Sequence, residues 1–185
     1  SELFGEAYEG GRWQAAIAFL AGATVFVLAD AALERRQPEG GASGSAVGFA
    51  LLLGVTLDGV PENLAMGVSL ITGGGVVLLV AIFASNLPEA IVGAEKMREA
   101  GLAPGRVLRI WSIAAVLLAI PVLIGFAALE GVSEQTLAWP LGFAAGAVLA
   151  SLADTLMPEA FDEGGPGIAY ATALGFLLSF ALSAV

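Results

Sequence analysis

Apolar residues run along this chain in stretches of about twenty, separated by short polar breaks. Six stretches reach the roughly 20 residues that a helix needs to cross a bilayer's hydrocarbon core. They cover about 13–33, 46–71, 75–95, 107–129, 136–158 and 167–185. The breaks have the right chemistry for turns: the Gly/Pro/Ser-rich linker "ERRQPEGGASGS" (34–45), the tight "TGGG" (72–75), the charged "EKMREAGLAPGR" (95–106), "EGVSE" (130–134) and "DEGGPG" (162–167). The pattern predicts an all-α, polytopic transmembrane helix bundle, one domain over 1–185 with about six spans.

Composition sharpens this. The chain is 58% apolar and 13% charged, whereas soluble domains run near one quarter charged. Cysteine and histidine are absent, so thiolate and imidazole ligands are excluded and any ion chemistry must use oxygen. The net charge of −10, from 7 basic and 17 acidic residues, leaves too few cations to neutralise phosphates, so nucleic acid is not an expected partner. The opening "SELFGEAYEGG" carries no basic n-region and no cleavage site.

The basic residues set an expected orientation. Arg35 and Arg36 follow the first stretch, and Lys96, Arg98, Arg106 and Arg109 surround the junction of the third and fourth. Six spans place both loops on one side, expected to be cytoplasmic, with the C-terminus outside the cell membrane. Trp13 and Trp139 fall near span ends and read as interface anchors, and Gly142 and Gly146 form a G-x-x-x-G expected to make a close helix contact.

An internal repeat is also legible. Shifted by 153 positions, "SELFGEAYEGG" lies over "DTLMPEAFDEG", and Gly22 lies over Gly175 in the apolar stretch that follows. Units with an odd number of helices would be inverted in the membrane. The repeat predicts counterparts of the fourth and fifth stretches upstream of Ser1, so the chain reads as a fragment lacking roughly one and a half spans.

The chemistry sits in the second and third stretches. "DGVPENLAMG" (58–67) and "SNLPEAIVGA" (85–94) share a Pro-Glu step 27 positions apart. Asp58 and Glu62 stand at i and i+4, as do Ser85 and Glu89, with Asn86 beside them, so each set projects from one helix face. Pro61 and Pro88 cannot donate to the carbonyls of Leu57 and Ala84, which leaves a spare backbone oxygen at the same level. A charged group at the bilayer centre costs about 2.5–3.5 kcal/mol, so three carboxylates cost on the order of 8–10 kcal/mol if nothing offsets them. No intramembrane Lys or Arg is available to pair with them. A bound cation, acquired protons or local water are the remaining solutions; neutral carboxyls in interhelical hydrogen bonds are the structural alternative. Asp30 and Glu34 read as solvated residues at the end of the first stretch. Asp154, Glu159, Asp162 and Glu163 cluster where the fifth meets the same side and are expected to line a vestibule. Asn63 faces about 100° from Glu62 and is expected to support the site without binding in it.

"LDGVPENLAMGVSL" and "FASNLPEAIVGAEKMREAG" resemble the fourth and fifth transmembrane helices of the ZIP family of divalent metal transporters, and "GFAAGAVLASLADTLMPEAFDEGG" resembles its seventh. The resemblance covers nearly the whole chain and implies an inverted 3+2+3 helix plan, with residues 1–185 running from the end of helix 2 through helix 8. It implies a metal site formed by Asp58, Glu62, Ser85, Asn86 and Glu89. Asp58 stands where the family usually has histidine and Gly59 where it has asparagine, which favours one metal over two. The expected function is passage of a divalent cation toward the cytoplasm: zinc by resemblance, Mn or another oxygen-preferring ion by the donor set. No bond in the cargo is made or broken, so no enzymatic activity and no resident cofactor are expected. The partners are the divalent metal ion and the lipid bilayer, and a homodimer is compatible with the sequence. A proton-coupled exchanger or channel using the same carboxylates, and a non-transporting membrane scaffold with a relict site, are the alternatives.

Overall fold

The computed structural model describes residues 2–35, 44–72 and 75–183. Most of the 34–45 linker, the centre of the 72–75 turn, Ser1 and the last two residues lie outside the described residues. Among the described residues eight α-helices follow one another: α1 (Glu2–Gly10), α2 (Arg12–Glu34), α3 (Gly44–Thr72), α4 (Gly75–Glu99), α5 (Pro104–Leu129), α6 (Glu134–Ser151), α7 (Met157–Gly164) and α8 (Gly167–Ser183). A π-helical turn, Leu152–Leu156, joins α6 to α7, and no strand occurs among the described residues.

Local chemistry explains the boundaries. The amide of Gly101, at φ +85°, donates to Arg98 O, and that of Leu102 donates to Met97 O. These two bonds close α4 with a left-handed glycine, and Pro104 then opens α5 at a position where its missing N–H costs nothing. Ser133 starts α6 by accepting a bond from the Thr136 amide. Pro158 explains the π turn. It cannot donate to Asp154 O and its ring crowds that carbonyl, so the turn widens and the Met157 amide reaches Leu152 O, five residues back.

The helices pack where glycine lets backbones touch. A β-carbon on Gly146 would collide with Phe19 O, one on Gly22 with Phe143 O, and one on Gly142 would sit 2.8 Å from Ala15 O. This is the α2–α6 seam, and it contains the G-x-x-x-G pair. A second seam joins α3 to α5: a β-carbon on Gly67 would strike Val122 O and one on Gly125 would lie 2.5 Å from Leu64 O. α6 is central, lying against α1, α2 and α3, while α4 packs on α3. Gly10 of α1 abuts the first residue of α6, Glu134, whereas α7 follows its last turn. The short helices α1 and α7 therefore stand at opposite ends of α6, while α2 runs beside it.

Two apolar clusters hold the two ends. Ala7, Ala15, Ala65, Val68, Leu137, Leu141 and Ala144 form one, with Leu78 against it; Met97, Leu102 and Val107 form the other, with Leu51 and Ala94 against it. Outside them the surface is apolar. Leu20, Phe83, Leu108, Leu123, Leu174 and Phe180 are each 64–70% exposed, and leaving such side chains in water forgoes about 1.5–3 kcal/mol apiece. Hydrocarbon removes that penalty. Arg12–Leu33, Leu78–Glu99, Pro104–Ala127 and Glu134–Asp162 are long and apolar enough to cross a membrane, and Gly167–Ala181 is apolar but shorter.

The glycine seams predict a contrast between repeat mates. Gly22→Ala drives a methyl into the α6 backbone and is expected to destabilise the fold by about 1–3 kcal/mol. Gly175→Ala meets nothing within 4 Å and is expected to be neutral or slightly stabilising, since Ala outranks Gly in a helix by up to ~1 kcal/mol. Thermal unfolding in detergent, followed by circular dichroism, checks both.

Candidate functional site

The inward faces of α3 and α4 are largely apolar, each carrying one glutamate and one uncharged polar residue, Ser69 on α3 and Asn86 on α4. On α3 the row Val55, Gly59, Glu62, Met66, Ser69 is buried or half-buried, within a stretch from Pro61 to Ser69 that is buried or half-buried throughout; on α4 the row is Ile82, Asn86, Glu89, Gly93, Met97. Spacings of three and four keep each row on one helix face. Glu62 and Glu89 thus sit half-buried among core positions, between the two apolar clusters, and both are engaged in interactions with their surroundings.

Register brings them to neighbouring heights. Glu62 stands ten residues before Thr72 and Glu89 fourteen after Gly75. At ~1.5 Å per residue their backbones differ by only about 6 Å along the pair. Asp58, fourteen residues before Thr72, shares the level of Glu89. Its side chain lies outside the described residues, as do those of Glu34 and Glu163. Among the described residues no three acidic side chains gather where they would hold a metal.

Asn86 lies half-buried on the α4 stripe, whereas Ser85 is exposed beside it, its Oγ donating to Ile82 O at 3.1 Å. Asn63 donates its side-chain amide to Gly59 O at 2.8 Å, which ties it to its own helix. Gly59 faces α5: a β-carbon there would lie 2.6 Å from Leu118 Cδ2. Both helices continue through Pro61 and Pro88 without a break.

A second group of charges marks the end of the bundle where α2, α4 and α6 finish. Asp30 lies within electrostatic reach of Asp154 in the π turn, and Lys96 Nζ pairs with Glu159 Oε1 at 3.1 Å across from α4 to α7. Asp154 and Asp162 are exposed. Spacing alone does not reveal the ion pair or the π turn, but a third Pro-Glu step, Pro158-Glu159, was available as a signal for a disturbed helix there.

No family model, curated protein or solved structure matches the chain.

The α4 stripe gives a direct check on which polar residue faces inward. The chain has no native cysteine, so single Ser85→Cys and Asn86→Cys variants can be labelled cleanly. Ser85→Cys is expected to react with a lipid-soluble maleimide several-fold faster than Asn86→Cys, because thiol modification follows access. Equal rates would place both residues on the same face.

Proposed function

We propose that the chain is a ZIP-type permease that carries a divalent cation through the α3–α4 interface toward the cytoplasm. The observation that carries this reading is the pair of half-buried carboxylates, Glu62 and Glu89, breaking the inward stripes of two packed helices in a chain whose outer surface suits lipid. A carboxylate at that depth needs a compensating cation, proton or water, and α3 and α4 supply two such groups at nearly one height. Asp58 and Asn86 extend the donor set to oxygen ligands, with Ser85 at its exposed margin. Oxygen ligands suit Mn, Mg or Ca better than zinc.

The repeat adds support. The α1–α2 and α7–α8 units share their short-helix, long-helix order, and their short helices stand at opposite ends of α6, an arrangement compatible with an inverted repeat. On this reading the six apolar stretches are six spans of a 3+2+3 plan in the cell membrane, the Arg35 and Lys96 loops are cytoplasmic and the C-terminus is outside. The chain binds and moves its cargo and performs no covalent chemistry. In a second reading Glu62 and Glu89, half-buried in an apolar setting, carry protons rather than a metal.

Divalent uptake into proteoliposomes separates them. Glu62→Ala and Glu89→Ala are each expected to lower uptake of Mn or Zn by at least about 10–100-fold, the loss that disturbing a metal site brings, while Ser85→Ala has a smaller effect. Unchanged divalent flux in both glutamate variants removes the site. Proton flux that is indifferent to any divalent ion, and lost in the same variants, selects the second reading.

A further inference from the structure

α7 is the least anchored helix of the bundle's charged end. It is eight residues long and hangs between two weak points. Before it lies the π turn, in which Pro158 withholds a donor and the hydrogen-bond ladder is stretched to five residues; such turns bend more readily than regular helix. After it lies Gly165, at φ +61° and ψ −156°, a conformation open essentially to glycine alone. Met157, Pro158, Glu159, Phe161 and Asp162 are all exposed, so little apolar contact holds α7 in place.

What crosses from α7 to the site-bearing helix is the ion pair. Lys96, in the last turn of α4, meets Glu159, in the first turn of α7, at 3.1 Å. Lys96 stands one turn beyond Gly93 and two beyond Glu89, on the helix that presents Asn86 and Glu89 inward. Like charges lie close by: Asp154 faces Asp30 across the π turn, and Glu95, Glu99 and Asp162 are exposed on α4 and α7. The surroundings of the pair are thus mixed in charge, with Arg98 exposed two residues beyond Lys96 on α4, and the Lys96–Glu159 pair is what joins α7 to α4.

We propose that the Lys96–Glu159 pair is a latch, clasping α7 against α4 over the end of the bundle, and that α7 swings between the π turn and Gly165 when the latch opens. The latch controls access to Glu89 from that end, a role that rests on the transport reading above. A device of this kind must be weak to be useful. Both partners are about half exposed, at 48% and 52%, and exposed pairs shift an equilibrium by about two- to fivefold at most.

The test follows the motion and the flux separately. Spin labels on Glu99→Cys and Asp162→Cys, in the otherwise cysteine-free protein reconstituted in lipid, report the α4–α7 distance by double electron–electron resonance. The parent is expected to give one dominant short distance. Glu159→Gln is expected to raise the longer-distance population about two- to fivefold, and the swapped pair Lys96→Glu/Glu159→Lys to restore the parent distribution. About 1 M salt, where screening shortens to roughly 3 Å, should mimic Glu159→Gln in the parent and needs no further substitution. Identical distributions in all variants and at both salt levels overturn the latch. Divalent uptake at the parent rate in a variant whose labels have moved overturns its control of access. Labels that respond in a protein with no divalent uptake at all leave the latch standing and remove the transport reading.

Discussion

Backbone-to-backbone contact at glycine is the constraint on which this architecture depends. In lipid, apolar side chains gain nothing by leaving one hydrocarbon surface for another, so helices associate through close packing instead. Gly22, Gly142 and Gly146 bring α2 against α6, and Gly67 and Gly125 bring α3 against α5, each with no room for a methyl group. These two seams fix the position of the central helices. With α3 held on α5 from one side and on α6 from another, its inward stripe has a defined direction, and Glu62 is committed to that direction with it.

The site follows from what those seams leave open. α4 is held less tightly than α3: it packs on α3 and only lightly on α5 and α8, whereas α3 lies against α4, α5 and α6. A looser helix carrying Asn86 and Glu89 thus lies beside a more firmly held helix carrying Glu62. The polar groups lie between two apolar clusters, one at each end of the bundle.

Proline acts differently at its positions. At Pro61 and Pro88 the helix runs on as α-helix, and the lost donor is absorbed locally. At Pro158 the ladder widens into a π turn and the chain restarts as α7. The difference lies in the surroundings. Around Pro61, α3 is enclosed by α4, α5 and α6, whereas the α6–α7 junction is exposed from Leu152 through Asp154 and free to deform.

The sequence by itself determined the helices. Apolar runs of about twenty residues, cut by Gly/Pro-rich breaks, place α2 to α5 and α8 to within a few residues, because hydrocarbon forbids unpaired backbone and leaves helix as the solution for such runs; the run at 136–158 starts with α6, which ends at Ser151 ahead of the π turn. It also marked Glu62, Glu89 and the G-x-x-x-G pair, since carboxylates and paired glycines are conspicuous in an apolar background. Tertiary structure decided what spacing cannot express. Ser85 and Asn86 are adjacent in sequence, yet a turn of about 100° per residue puts one outside and the other on the inward stripe, and which faces inward depends on where α3 and α5 lie. Gly59, opposite Leu118, is a packing position for the same reason. The Lys96–Glu159 pair joins residues 63 positions apart, and nothing along the chain announces a contact that exists only once α4 and α7 share an end of the bundle.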